Sequence, residues 1–455
     1  MPRLLALLAL VLLLSSCAAP PPVASVEAAA LPRVQPTLQP SVTPRPPATA
    51  APTAVPTGAP IVIPTAVATA TLPPPPPEPR YDLVLLGGTL IDATGAPALD
   101  DAAVAIADGR IAAVGPAATL AFSPDTPVRD VRGATILPGF INAHVHIAGL
   151  SDDQLRGWTR AGVTTIRDLA GDLDAQLARR NSLDARDDPG LPRLLVAGPI
   201  VTAPGGYPFA VADPALRVAG WGVRGPNEAQ AAAAALADAG VDLVKLAVSG
   251  RTDVSWPELA DAEIAAIAET ARARGLRVSA HIDRASALRR AVLNGVNDAA
   301  HSPRDHLPDA VIALLVERGV TLTPTIAVYE ALAFHRGKGA EWRRLTQPVM
   351  YDNVRRFVAA GGTLALGDDY GGVPGMPVGM PMAELRHWQA LGLTAEQIIV
   401  AATRGSAIAC GIATEVGTVE PGKVADLLVV QGDPREDLGA LARPLLVLRG
   451  GHPVE

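Results

Sequence analysis

Ile136-Leu137-Pro138-Gly139-Phe140-Ile141-Asn142-Ala143-His144-Val145-His146 is an apolar run that ends in two histidines. On a β-strand, side chains alternate faces, so His144 and His146 point the same way and both imidazoles can reach one ion. Alone, such a pair also reads as two half-exposed strand histidines. Other runs end in a similar manner. Val241-Asp242-Leu243-Val244-Lys245-Leu246 sets a lysine in a buried-looking strand, where an unpaired ammonium is costly. Arg277-Val278-Ser279-Ala280-His281 and Asn297-Asp298-Ala299-Ala300-His301 each close on a histidine, and Thr363-Leu364-Ala365-Leu366-Gly367-Asp368 closes on a carboxylate. Any one of these also fits a satisfied core or loop residue. Together, His144, His146, Lys245, His281, His301 and Asp368 predict a metal site.

Working outward, strand-like runs near 136–146, 163–168, 193–201, 241–247, 276–282, 297–301, 320–327 and 362–368 alternate with helical patterns such as 227–239, 257–274, 285–293 and 309–318. Eight β-then-α units predict an α/β protein of the (β/α)8 barrel type rather than an open sheet. The candidate ligands come from strands 1, 4, 5, 6 and 8, whose carboxyl ends converge on one mouth in such a barrel. Short strands joined by turns such as Asp108-Gly109 precede the barrel, and strand-like segments 425–430 and 445–448 follow it. Both ends are therefore expected to build one small β-sandwich domain from 80–135 and 405–455, around a barrel at 136–404.

The chain has 455 residues, 49% hydrophobic and 18% charged, with a net charge of −7. That is enough for a large core and more than one domain. The mild acidity and lack of a basic cluster argue against a nucleic-acid partner. Cys17 and Cys410 stand far apart and suggest no disulfide framework. Arg3, the apolar residues 4–14 and Leu14-Ser15-Ser16-Cys17 resemble a bacterial lipoprotein signal, with cleavage before Cys17 and lipid on that cysteine. A plain secretory signal with an incidental cysteine is the other reading, and both imply export. With lipid, the protein stays at a membrane surface of the cell envelope. Residues 18–79, rich in Pro, Ala, Thr and Val, read as a semi-rigid stalk or as disorder without a spacer role.

Four stretches, ILPGFINAHVHI (136–147), AGVDLVKLAVSG (239–250), GLRVSAHI with GVNDAAH (275–282, 295–301) and LALGDD (364–369), resemble the amidohydrolase superfamily. Within it they are similar to the branch of imidazolonepropionases and Xaa-Pro dipeptidases. The segment ATRGSAIACGIATEVGTVEPGKVADLLVVQGDP (402–434) is also very like that family's return from barrel to β-domain. The resemblance spans nearly all of residues 81–455. It implies His144, His146 and Asp368 around one divalent ion, His281 and His301 around a second, and Lys245 bridging them as a carbamate. An ammonium cannot bind a cation, whereas carbon dioxide added to the lysine nitrogen makes an anion with two oxygens. The family chemistry implied is attack by a metal-activated hydroxide, with Asp368 as general base and then acid. Zinc suits these ligands, and manganese, cobalt or iron would fit them too. Imidazolonepropionases proper use one metal and lack the bridging lysine, so Lys245 favours the two-metal, dipeptidase-like side; a Lys245 paired with an acid would leave one metal.

The substrate is less defined. Tyr207 stands where many relatives have histidine, in a long loop after strand 3; it either donates to a developing oxyanion or packs as a loop aromatic. Dipeptide-cleaving relatives often carry an arginine in the helix before strand 4, where this chain has alanines at 231–235. Arg251 could bind a substrate carboxylate or be a solvated loop charge. The expected activity is hydrolysis of a C–N bond in a small amide, dipeptide or cyclic amide. The alternatives are an esterase, lactonase or phosphotriesterase, or a non-catalytic lipoprotein that binds a small ligand. Oligomeric state stays open, a homo-oligomer included.

Overall fold

The computed structural model describes residues 78–209, 219–249 and 256–455. Cys17, the signal, nearly all of the stalk and Arg251 lie outside them. The strand-helix alternation read from the sequence is present as eight parallel strands: Phe140–Val145, Val163–Asp168, Arg193–Val196, Leu243–Ala247, Arg277–His281, Asp298–Ala300, Thr321–Thr323 and Thr363–Leu364. The first three pair in order, and so do the last five. Two seams join these sheets into a ring. The Asp242 N–H donates to the Val196 carbonyl at 2.9 Å, and the Ala143 N–H donates to the Leu366 carbonyl at 2.7 Å.

The outer helices form where an apolar stripe recurs at helical spacing. Gly225–Ala239 buries Ala229, Ala232, Ala233 and Leu236, and it stops at Gly240, whose left-handed φ of 88° suits a residue without a Cβ. Asp152–Arg160 starts at a capping box in which Ser151 and Gln154 satisfy each other's backbone N–H groups. These helices and the outward faces of the strands share one large core that includes Trp158, Leu236, Phe357, Leu366 and Trp388.

The two ends of the described chain meet in one sheet. Its order runs His452–Pro453, Pro444–Arg449, Leu427–Gln431, Ala134–Pro138, Leu83–Leu90, Leu99–Ala107 and Arg110–Pro116, with Val128–Asp130 beside Leu83–Leu90. The Ile111 N–H donates to the Lys423 carbonyl and the Ile111 carbonyl accepts from the Gly422 N–H at the far side, so the sheet curls around Leu85, Val104, Ile136, Leu427 and Val429. The fold is thus a (β/α)8 barrel with a small β-sandwich domain.

Three runs differ from their sequence expectation, and one of them, 193–201, is interrupted after Val196, with a separate strand at Ile200–Thr202. The run 136–146 is two strands, because Gly139 breaks it: a Cβ there would lie 2.4 Å from the Thr164 hydroxyl. Ala134–Pro138 pairs with Leu427–Gln431 in the small domain, while Phe140–Val145 opens the barrel. The run 320–327 stops as a strand at Thr323, and Ile326–His335 is helical after Thr325 turns through φ 50°.

Candidate metal centre

Each barrel strand delivers its functional side chain at the same end. His144 lies near the end of Phe140–Val145, Lys245 within Leu243–Ala247, His281 at the end of Arg277–His281, and His146 and His301 one residue past their strands. The ring centroids of His144 and His146 are 5.4 Å apart, those of His144 and His301 4.8 Å, and those of His281 and His301 4.6 Å. Five of the six residues predicted from sequence therefore converge.

The sixth is corrected by one position. Asp369, not Asp368, faces the imidazoles: its Oδ1 lies 3.0 Å from His146 Nε2 and 3.2 Å from His144 Nε2. Although close, that oxygen accepts no properly aligned hydrogen bond among the described residues. Ligand atoms of His144, His301 and Asp369 fall within 4.8 Å of one another, an arrangement that fits a metal centre. Asp368 Oδ1 instead accepts from the Asn142 amide at 2.8 Å and from the Tyr370 N–H at 3.3 Å. The reason is strand parity. Leu364 and Leu366 face the outer core, whereas a Cβ on Gly367 would lie 2.7 Å from the His144 Cβ, so the residue two beyond Gly367 shares its inward side. Asp369 adopts φ 56° there, and its N–H donates to the His144 carbonyl at 2.9 Å.

The electrostatics suit cation ligation. Burial, assisted by the Lys245 charge, holds His144 and His281 well below the usual histidine range; burial with the neighbouring His281 and Lys245 does the same for His301. Neutral imidazoles keep a lone pair for a metal. His146 goes the other way: burial opposes its charge, but the carboxylates of Asp168 and Asp369 win and raise it to about 9. Burial lowers Lys245 to about 7 despite the attraction of Asp298, and Nζ has no hydrogen-bond partner among the described residues. Burial pushes Asp368 up to about 6 against its two hydrogen bonds.

The surroundings hold residues that motif reading missed. Thr325 Oγ1 lies 2.7 Å from His301 Nδ1, fixing that ring. His301 itself sits at φ 95°, so His301, Thr325 and Asp369 are all in the left-handed region. Asp168 Oδ1 is 3.7 Å from His146 Nδ1, an ion-pair contact too long for a hydrogen bond. Tyr329 stands edge-on to His301, with centroids 5.7 Å apart. Tyr207 stacks on His281 at 4.0 Å with planes 10° apart, so the loop aromatic packs directly on a site imidazole. Beneath the mouth, Arg167 and Asp298 form a fully buried ion pair at 2.8 Å.

A barrel mouth built this way defines a metal-dependent hydrolase. Residues 135–454 match the amidohydrolase family. The chain is 30% identical over 401 residues to the imidazolonepropionase of Symbiobacterium thermophilum, covering 77% of this chain and 91% of that protein. A protein from Bifidobacterium longum, described provisionally as a prolidase, superposes with a TM-score of 0.70 at 28% identity over 82% of this chain and 94% of its own. A Xaa-Pro dipeptidase crystallised with methionine shares the fold, with a TM-score of 0.71 at 23% identity over 82% of this chain and 99% of its own. The chain belongs to the amidohydrolase family.

Proposed function

We propose that this protein hydrolyses a C–N bond in a small amide, dipeptide or cyclic amide, with two divalent ions, zinc being the first choice, and a carboxylated Lys245. The observation that carries the proposal is Lys245 itself: a buried amine with no hydrogen-bond partner among the described residues, on the strand beside the one that ends in His281. Burial holds Lys245 near a pKa of about 7, so a large fraction is the neutral amine that can add carbon dioxide. His144, His146 and Asp369 would hold one ion and His281 and His301 the other, with the carbamate between. Bound ions supply Lewis acidity and a water of lowered pKa.

The chain's own groups do the rest. Asp369 Oδ1 is placed to accept a proton at the mouth and return it to the leaving nitrogen. Thr325 fixes the His301 ring, and Tyr207 shields the His281 side of the site from water. The choice of a C–N bond is supported by the likeness to an imidazolonepropionase.

The test is elemental analysis of protein produced with bicarbonate and trace metals, paired with mass detection on Lys245 and a screen of amides and dipeptides. About two metals per chain, a carbon-dioxide-sized mass increment on Lys245 and amide turnover are expected. One metal with unmodified Lys245 would reject the bridged site, and turnover confined to esters would reject the bond class.

We further propose export and lipid attachment at Cys17, supported by Arg3, the apolar residues 4–14 and Leu14-Ser15-Ser16-Cys17. Cys17→Ser should move the protein from the membrane fraction to the soluble one; unchanged fractionation would reject it.

A further inference from the structure

Arg304 is a cation at the barrel mouth with more donors than partners. Its backbone N–H donates to the Asp283 carbonyl at 3.0 Å, which ties the loop after the sixth strand to the loop after the fifth. The same loop is held on its other side, where the N–H groups of His301 and Ser302 donate to the Thr323 and Pro324 carbonyls. The side chain therefore projects from a backbone fixed on both flanks.

Only one guanidinium nitrogen is used by the described protein: Nη2, 2.9 Å from Asp283 Oδ2. Asp283 is itself shared, since its Oδ1 accepts from the Ser249 hydroxyl at 2.9 Å. Arg304 Nε is buried and without a hydrogen-bond partner among the described residues. The guanidinium carbon lies 5.5 Å over the Tyr329 ring, which stands edge-on to His301. One aromatic ring thus separates this charge from a site imidazole.

A guanidinium fixed in a rigid loop, with Nη1 unbonded among the described residues, is suited to donate to a carboxylate oxygen. We infer that Arg304 anchors a carboxylate carried by the substrate, setting the distance between that carboxylate and the scissile bond. The inference rests on the amide-hydrolase reading above and narrows it to amides with a free carboxylate, such as N-acyl amino acids and dipeptides with an unblocked C-terminus. Tyr329 forms the wall between the anchor and the reacting centre.

The test uses the full metal-loaded chain and two probes differing only in charge, N-acetylglycine and N-acetylglycinamide, titrated calorimetrically into the unsubstituted protein, Arg304→Met and Arg304→Lys. The unsubstituted protein should bind the acid at least about tenfold more tightly than the amide. Arg304→Met should weaken the acid by about 10- to 100-fold, as loss of a charged hydrogen-bonding pair does, and leave the amide unchanged. Arg304→Lys should recover part of the difference. In turnover of matched free-acid and amidated dipeptides, the Met variant should raise KM for the acid with little change in kcat.

Equal binding of the two probes by the unsubstituted protein, binding of neither, or discrimination that survives Arg304→Met overturns the anchor. Parallel loss of both probes also overturns it, since that marks a structural role through Asp283. Discrimination lost in the Met variant without turnover of any amide keeps the anchor and removes the hydrolase reading; amide turnover without charge discrimination does the reverse.

Discussion

Asp368 and Asp369 are adjacent carboxylates with opposite roles, and exchanging each for asparagine separates them. Asp369 Oδ1 is 3.0 Å and 3.2 Å from two site imidazoles, so Asp369→Asn removes both a ligand charge and the proton carrier. Loss of a positioned acid-base group costs about 10²- to 10⁴-fold in rate, and metal content should fall as well. Asp368 sits behind the site on the Asn142 amide. Burial raises its carboxyl from 3.8 to about 6, so keeping it ionised at neutral pH costs the native state about 3 kcal/mol. Asparagine stands in for the neutral carboxyl and avoids that cost, while its oxygen still accepts from Asn142 and Tyr370. Asp368→Asn should therefore retain activity within about tenfold and be as stable as the unsubstituted chain or up to about 3 kcal/mol more so, with a melting temperature that is unchanged or higher. The assays are amide turnover, elemental analysis and thermal unfolding on both variants. An inactive, metal-poor Asp368→Asn beside an active Asp369→Asn would refute the parity argument.

His146 gives a pH dependence of definite sign. Its pKa in the metal-free chain is raised from 6.5 to about 9, so its contribution is complete below pH 6.5 and lost as pH rises through about 9, roughly 3 kcal/mol in all. Chelated protein melted across that range should show the loss. Metal affinity should run oppositely, falling about tenfold per unit as pH drops below about 9, with proton release seen by calorimetry. Thr325→Val deletes the partner of His301 Nδ1 and should weaken metal binding by about 10- to 100-fold with little change in fold, checked by competition with a chelator. Arg167→Met strands a buried Asp298 carboxylate and should destabilise the chain by about 3–5 kcal/mol in denaturant unfolding; adding Asp298→Asn should recover part of it.

The barrel and most of the site were legible because each decision there is local. A histidine closing an apolar run shows its strand, its end and its chemistry together, which is why His144, His146, His281 and His301 could be placed without coordinates. Lys245 was legible for the complementary reason, a charge where only apolar residues belong. Asp369 was readable in principle from the parity of Leu364, Leu366 and Gly367, but a strand only two residues long, Thr363–Leu364, makes alternation a weak guide. Thr325 and Tyr329 were hidden by a real ambiguity: Thr321-Leu322-Thr323-Pro324-Thr325-Ile326-Ala327 has strand composition, and only the left-handed turn at Thr325 starts a helix there. Arg304 has no local signature at all, since its role comes from Asp283 and Tyr329, distant in sequence.

Two of these misses, Asp369 and Thr325, coincide with unusual backbone. His301, Thr325 and Asp369 all hold positive φ angles that side chains with a Cβ disfavour, and all three meet at the same mouth. Local preference was overridden where three strand ends had to turn imidazole, hydroxyl and carboxylate toward one another. Regular continuation of those strands would have carried successive side chains to alternate faces instead. The departures from strand geometry are therefore part of how the site is assembled, and they fall on residues whose side-chain direction matters more than their propensity.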